Sequence, residues 1–492
     1  MNQKIPTEVS QITKTLTGAG FSAYLVGGCV RDLLLANSPA SEPKDWDITT
    51  SATPEQIIAL FPKTFYENAF GTVTVVNEEI ADLNLRHIEI TPFRLETKYS
   101  DKRHPDEVKW SDKLADDLKR RDFTINAMAY DLEKDELIDL YLGQTDLKDK
   151  VIRAVGNPDE RFQEDPLRML RAIRLSAQLS SVIESDTAES IQRNATLLSV
   201  VSRERVRDEF VKLIQSPNPM IGLMFAHKLA LLTQFLPELE EGLHVKQNGD
   251  HIFDVWEHSL RALQHAADRD FSLEVRLTAL FHDIAKPRVR GWNEEKKDYT
   301  FYNHEVVGAR MTKEILNRLK LSKKQIEKVV TLVRNHMFFT DIDRITLSAV
   351  RRIVANVGQE YIWELMNVRT SDRIGMGRPK EETYRLRKYQ SMIEESLRAP
   401  TSVGMLKIDG QEVIRETGLV PSPKIGQILH ALLNEVLENP DLNTKEFLIK
   451  KVKELAKLSD KELAKIGEMG KERKEKAEEE ELKKIRSRYR VK

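Results

Sequence analysis

Strand-forming signals crowd into the first 150 residues of this chain and almost vanish after them. "AYLVGG", "DWDITT", "GTVTVVN" and "HIEITPFRL" carry β-branched residues bounded by Gly, Pro and Asn, as strands do. From about residue 150 onward the pattern is helical to the end. The expected class is α+β, with a mixed-sheet head at 1–150. Two further breaks, "SPNP" at 216–219 and "RAPTSVG" at 398–404, divide the rest into 151–218, 219–398 and 399–492. A chain of 492 residues exceeds what one core serves, so several domains are expected.

Composition narrows the class. The net charge of −1 excludes a globally basic nucleic-acid binder but leaves room for a local basic groove. Cys29 is the only cysteine, which excludes a disulfide framework and a thiolate zinc cluster. No apolar run reaches membrane-spanning length, and the start carries no signal-peptide core, so a soluble cytoplasmic protein without membrane contact is expected. The last residues form a charge-dense helix ending in "KKIRSRYRVK", which is either a solvated tail or an RNA-touching arm. No internal repeat is present.

In "LVGGCVRDLLL" a strand meets a turn at Gly27 and Gly28 and then a helix. Backbone N–H groups at such a turn cradle phosphate, and Arg31 follows one turn in. In "KDWDITT", Asp45 and Asp47 lie two apart on a strand, so both carboxylates point to one face and Trp46 to the other. Two carboxylates that close repel unless a cation sits between them, and hard oxygen ligands suit Mg2+ on nucleotide phosphates. Glu89 in "HIEITPF" is the candidate third carboxylate, a charge mid-strand among apolar neighbours; a buried salt bridge explains it equally well.

"QEDPLRMLRAIRL", 163–175, places three arginines and a carboxylate pair in thirteen positions. On a continuous helix Asp165 and Arg168 are i, i+3 neighbours. Each further step of three drifts by about 60°, which moves Arg171 to the side and Arg174 roughly opposite Asp165. In "SRERVRDEF", 202–210, Arg205 and Glu209 have i, i+4 ion-pair spacing.

Gly-Gly-x-x-Arg-Asp followed by Asp-x-Asp resembles the nucleotidyltransferase superfamily head. "RRDFTINAMAYD", 120–131, narrows this to class II tRNA nucleotidyltransferases (CCA-adding enzymes) and the related bacterial poly(A) polymerases. "LIDLYLGQTDLKDKVIRAVG" is similar to the family's next element and "TPFRLETKYSDKRHPDEVKW" to its flexible loop. The resemblance runs from about residue 20 to about 455 and implies a head, an all-helical neck, an HD domain and a helical tail. It implies transfer of CMP and AMP from CTP and ATP to a tRNA 3′ end, with Asp45, Asp47 and Glu89 catalytic around Mg2+. Gly27, Gly28, Arg31, Arg121, Asp122, Asp165, Arg168, Arg171 and Arg174 are the implied nucleotide-binding set. In it Arg121 contacts the ribose, Asp122 holds Arg121, and Asp165 with Arg168 reads the base. C and A each show an amino donor beside a ring-nitrogen acceptor, which a carboxylate and a guanidinium complement; G and U do not. Enzymes adding only A, and poly(A) polymerases, remain alternatives.

The order His258, His282-Asp283, His304, His336, Asp372 matches the HD phosphohydrolase superfamily. That resemblance implies one metal on His258, His282, Asp283 and Asp372 and a possible second on His304 and His336. Mixed imidazole and carboxylate ligands suit Mn2+, Ni2+ or Co2+. An alternative of another class follows, in which the HD part is a phosphohydrolase acting on RNA ends or nucleotides.

Overall fold

The structure is a computed structural model that describes residues 4–35, 43, 45–67, 71–96, 108–249, 251–338, 345–397, 403–459, 462–463, 465–466 and 479–491. The chain forms two compact units. One is Met1–His336 with Asn367–Pro379; the other is Met337–Met366 with Lys380–Lys492.

The first unit opens with a helix, Thr7–Gly18, and a mixed sheet. Its strands are β1 (Ala23–Val26), β2 (Asp47–Thr50), β3 (Thr64–Glu67), β4 (Thr72–Val76) and β5 (His87–Pro92). A separate pair, β6 (Arg94–Glu96) with β7 (Val108–Trp110), precedes β8 (Met128–Asp131) and β9 (Glu136–Asp139). The sheet order is β3-β4-β5-β2-β1-β8-β9, with β2 and β5 parallel and the other neighbours antiparallel. Strand alternation buries Val73, Val75, Ile88 and Ile90 against Leu25, Ile48 and the helix residues Val9, Ile12 and Leu16. Trp46 is buried in the same core. Because β1 and β2 are neighbours, the Gly27 turn and Asp47 are brought together at the middle of the sheet.

Past residue 150 the secondary structure of the described residues is helical apart from two small pairs, Val151–Ile152 with Val182–Ile183 and the hairpin Gly291–Asn293 with Asp298–Thr300. Strands that short carry too few residues for a periodic signal. The turn at 216–219 does not separate two cores. One apolar cluster runs from Leu170 and Phe210 through Leu223 and Phe235 to Leu280 and Phe281.

The second unit has its own core of Ile408, Val413, Ile428, Leu432, Leu448 and Val452. The break at 398–404 falls within this unit, and 398–402 lie outside the described residues. Residues 479–488 are helical, while 467–478 of the charge-dense tail lie outside the described residues, as do 97–107 of the loop resembling the family's flexible element. Arg486 pairs with Glu395 at 3.1 Å and Arg488 with Glu394 at 2.6 Å, so two of the terminal basic groups are engaged within their own unit.

Helix Pro219–Lys228 packs on helices Leu167–Leu179 and Arg203–Ile214 at Gly222. A Cβ there lands 2.4 Å from Leu213 Cδ1 and 3.1 Å from Ala177 Cβ. Gly222→Ala is therefore expected to destabilise the first unit by about 1–3 kcal/mol despite alanine's better helix propensity. Urea unfolding checks this; a midpoint at or above that of the parent would contradict the close packing.

Candidate nucleotidyl-transfer site and metal centre

Gly27 has φ +81°, and a Cβ on it would lie 2.9 Å from Arg121 Nη1 and 3.3 Å from Asp47 Oδ2. Glycine thus supplies both the left-handed turn and the room for a carboxylate and a guanidinium over the start of helix Gly28–Leu35. Arg31 Nη1 donates to Asn126 Oδ1 at 2.7 Å and pairs with Asp32.

Asp47 opens β2, but Asp45 lies in the bend before it, so the two do not share a strand as expected. They still border one groove together with Arg31, Arg171 and Arg174. Burial pushes the Asp47 carboxyl up; Arg121 opposes this and the charge of Asp45 adds to it. Glu89 sits opposite Asp47 in the parallel β2–β5 register, and both line a second cleft with Thr72, Thr91 and Arg94. Of the two readings of Glu89, the buried salt bridge is corrected: β5 alternates, its isoleucines face the core, and Glu89 is exposed.

The arginines are distributed among partners differently from expectation. Arg121 pairs with Asp117 at 3.1 Å, and Arg120 pairs with the same carboxylate at 2.5 Å. The Asp117 side chain is fully buried; burial alone would raise its pKa, but Arg120 and Arg121 hold it below the usual range. Asp122 does not hold Arg121. It pairs with Arg171 at 2.9 Å and accepts from Asn126 Nδ2 at 3.1 Å and Phe123 N at 2.8 Å. Against the cost of burial, Arg171 and these donors bring Asp122 to about 2. Asn126 is therefore a hub joining Arg31 to Asp122. The sequence signal for it was its place in "RRDFTINAMAYD", and for Asp117 its i, i+3 and i, i+4 spacing to the arginines.

Pro166 breaks the helix expected to carry Asp165 and Arg168. Helix Pro158–Glu164 ends at Asp165, which is extended (φ −142°, ψ 99°) as a residue before proline prefers, and a new helix, Leu167–Leu179, begins beyond it. Asp165 Oδ1 accepts from Leu167 N at 3.1 Å, and its other oxygen pairs with Arg205 at 2.7 Å. Arg168 pairs with Glu164 at 2.8 Å and donates to the Arg120 carbonyl at 3.1 Å. The expected Arg205–Glu209 pair is replaced by Arg205–Asp165 and Arg174–Glu209, the latter at 2.5 Å. Arg174 also donates to Gln178 and is buried. Even so, Asp165, Arg168 and Arg171 line one cleft with Gly27, Gly28, Asp47, Arg121 and Asp122. Arg121 Nε is buried there with no hydrogen-bond acceptor among the described residues.

The six histidine and aspartate candidates converge in the first unit and are all buried. His258, His282 and Asp372 form one ligand-competent group; Asp283, His304 and His336 form another. Asp283 faces both. Its Oδ2 lies 3.1 Å from His258 Nε2 and 3.2 Å from His282 Nε2, and its Oδ1 is 3.4 Å from His304 Nε2 and 3.8 Å from His336 Nε2.

Backbone carbonyls fix the tautomers. The Nδ1 atoms of His282, His304 and His336 lie 2.8, 2.7 and 2.7 Å from the carbonyls of Ala279, Phe301 and Val333. A carbonyl only accepts, so each Nδ1 carries the proton, and a neutral ring turns its Nε2 lone pair inward. His304 and His336 then face each other with lone pairs at 3.2 Å. That is repulsive without a shared cation, and it is about the spacing of two nitrogens on one metal at ~2.1 Å. Burial opposes charge on His282, yet Asp283 and Asp372 push it up to about 10, so a cation bound there must displace the proton from its Nε2; burial and charged His282 push His336 down to about 3. Two neighbours escaped the sequence reading. Lys286 binds Asp283 Oδ2 at 2.6 Å and Gln247 at 2.7 Å, and the His251 ring lies 4.9 Å from that of His258.

Three family profiles match in succession: the poly A polymerase head domain over 23–153, the probable RNA- and SrmB-binding site of polymerase A over 182–243, and the HD domain over 255–374. The CCA-adding enzyme of Ligilactobacillus salivarius is 32% identical over 464 residues, covering 92% of this chain and 98% of the relative. The chain belongs to the CCA-adding enzyme family. The A-adding tRNA nucleotidyltransferase of Deinococcus radiodurans is also similar, 35% identical over 65% of this chain and 74% of its own length. A crystal structure of the Bacillus stearothermophilus CCA-adding enzyme in complex with CTP matches with a TM-score of 0.59 at 27% identity, covering 92% of this chain and 98% of that one. In this CCA-adding enzyme family member the stretch 163–175 falls between the first two profile matches, so geometry is what ties it to the cleft.

Asp117→Asn keeps the shape of the buried carboxylate and removes its charge. The expected result is about 1.5–3 kcal/mol lost from stability and a KM for CTP raised roughly ten-fold as Arg120 and Arg121 loosen. Steady-state kinetics beside thermal unfolding check it; an unchanged KM would show that Asp117 serves stability alone.

Proposed function

We propose that this chain extends tRNA 3′ ends with CMP and AMP taken from CTP and ATP, releasing pyrophosphate. The observation that carries the reading is the single cleft in which the Gly27–Gly28 turn and Asp47 meet Arg121, Asp165 and Arg168. Amides at the turn and the arginines bind the triphosphate; Arg121 offers its unmatched buried N–H. Asp165 accepts from the exocyclic amino group of C or A while Arg168 donates to the ring nitrogen. Both have capacity left. The Asp165 oxygens each hold a spare lone pair, and Arg168 has five N–H donors, of which Glu164, Arg161 and Arg120 take three. A half-buried Asp47 repelled by Asp45 fits a divalent cation such as Mg2+, held by these two carboxylates with Glu89 beside them. When bound, that ion lowers the pKa of the attacking hydroxyl and neutralises phosphate charge.

The expected outcome is extension of tRNA transcripts ending before CCA, after C and after CC, each with the nucleotide due next. Extension of CC-ended tRNA alone would indicate an A-adding enzyme, and long A tracts on any RNA a poly(A) polymerase. Asp45→Ala should abolish transfer while tRNA binding persists. Asp165→Ala or Arg168→Ala should admit U or G, since each mismatch with an intact pair costs about 1–3 kcal/mol.

The facing lone pairs of His304 and His336 favour a second reading, a metal-dependent phosphoester hydrolase acting on RNA ends or nucleotides. His258, His282, Asp283 and Asp372 would hold one ion and His304 and His336, sharing Asp283, another. Imidazole-rich ligation suits Mn2+, Ni2+ or Co2+, and the bound ion supplies an activated water. Adding Mn2+ or Ni2+ to chelator-stripped protein should raise Tm, by RT ln(1 + [L]/Kd) in free energy, and Asp283→Ala should cancel the shift. Phosphate release should survive Asp45→Ala and disappear in Asp283→Ala; the reverse pattern would sink the reading.

A further inference from the structure

Between the ligand pair His282-Asp283 and the next ligand, His304, the chain runs out into the hairpin Gly291–Asn293/Asp298–Thr300. Trp292 is the cross-strand partner of Tyr299, and their rings meet edge to face at 5.1 Å. The Arg290 guanidinium carbon lies over the Tyr299 ring, 3.9 Å from its centroid. Arg290 has no carboxylate partner among the described residues. Trp292 is 51% exposed and Tyr302, just past the hairpin, 71%. The Trp292–Tyr299 contact supports the hairpin's pairing, but the parts of Trp292 and Tyr302 left open to water cost free energy.

The hairpin is tied to the histidine–aspartate centre at both ends. Lys286, before it, holds Asp283 and sits 5.5 Å from the Phe301 ring, while the Phe301 carbonyl, after it, takes the His304 Nδ1 proton at 2.7 Å. Asp298 accepts from Gly249 N at 3.2 Å, which fixes the hairpin to the loop that carries His251.

We propose that the hairpin 290–302 is a stacking surface for single-stranded RNA, with an unpaired base laid on Trp292 and Arg290 turned to the adjacent phosphate. A half-exposed indole beside a guanidinium with no carboxylate partner among the described residues suits an unpaired base and its phosphate better than an apolar protein segment, because the ring is flanked by Asn293 and the charged turn Glu294, Glu295, Lys296 and Lys297. The charges of that turn cancel, so recognition comes from stacking and from one cation. Delivery of the strand to the metal centre rests on the hydrolase reading above; the stacking itself does not.

The test is fluorescence anisotropy of a dye-labelled single-stranded hexaribonucleotide against the full chain in EDTA. Trp292→Ala and Arg290→Ala should each weaken binding five-fold or more, Trp292→Phe should stay within two-fold, and CMP incorporation into tRNA should be unchanged in all three. Equal affinity of Trp292→Ala and the parent overturns the proposal. So does a Trp292→Ala change in sedimentation without a change in RNA affinity, which would assign the surface to a second copy of this chain. Binding that depends on Trp292 with no Mn2+-dependent cleavage of the same RNA would leave the stacking surface standing and remove the hydrolase reading.

Discussion

The pair Asp122–Arg171 joins the head to the neck, and the geometry of the cleft depends on it. A site for a triphosphate must keep several guanidinium groups within reach of one another, and without balancing carboxylates their repulsion would spread them. Each is balanced from a different element. Asp117 serves Arg120 and Arg121, Asp122 serves Arg171, Glu164 serves Arg168, and Glu209 serves Arg174. Of these pairs only Arg174–Glu209 is buried on both sides, and removing one member there strands the other at a cost of about 3–5 kcal/mol; the partly exposed pairs constrain position more than they add stability. Arg174 is held in the same way. Its Nε and Nη1 are committed to Glu209 and Gln178, and it braces the neck helix while bordering the wider groove.

Much of this was legible in the sequence because it rests on short-range pattern. The strand runs, the Gly-Gly turn and the ordered histidines each announce a local requirement, and the structure brings those residues together. The neck shows where such reasoning stops. Treating 163–175 as one helix gave an i, i+3 contact between Asp165 and Arg168, yet Pro166 bars the residue before it from helical geometry, so the two reach one cleft from separate helices. For Glu89 the alternative of a buried salt bridge fails for a related reason: its apolar neighbours face the core while it faces out, which alternation alone would have allowed. Asp117 and Asn126 carry only weak signals, a helical spacing to two arginines and a place in a motif, and Lys286 none; the value of each appears only once the partner is in place.

The two centres are chemically distinct. Asp45, Asp47 and Glu89 offer only oxygen, which suits a hard ion that arrives with a nucleotide's phosphates. The second centre is mostly imidazole, locked by carbonyls so that lone pairs converge, and it is closed to solvent. A softer ion bound there gains from nitrogen ligands that the first site cannot offer, while Mg2+ gains little from them. Ligand type alone would therefore sort two such ions between the candidate centres. Because Asp283 is shared by both histidine groups, the second centre behaves as one electrostatic unit. Neutralising that carboxylate weakens every ligand around it, whereas the head, held by its own arginine pairs, loses nothing.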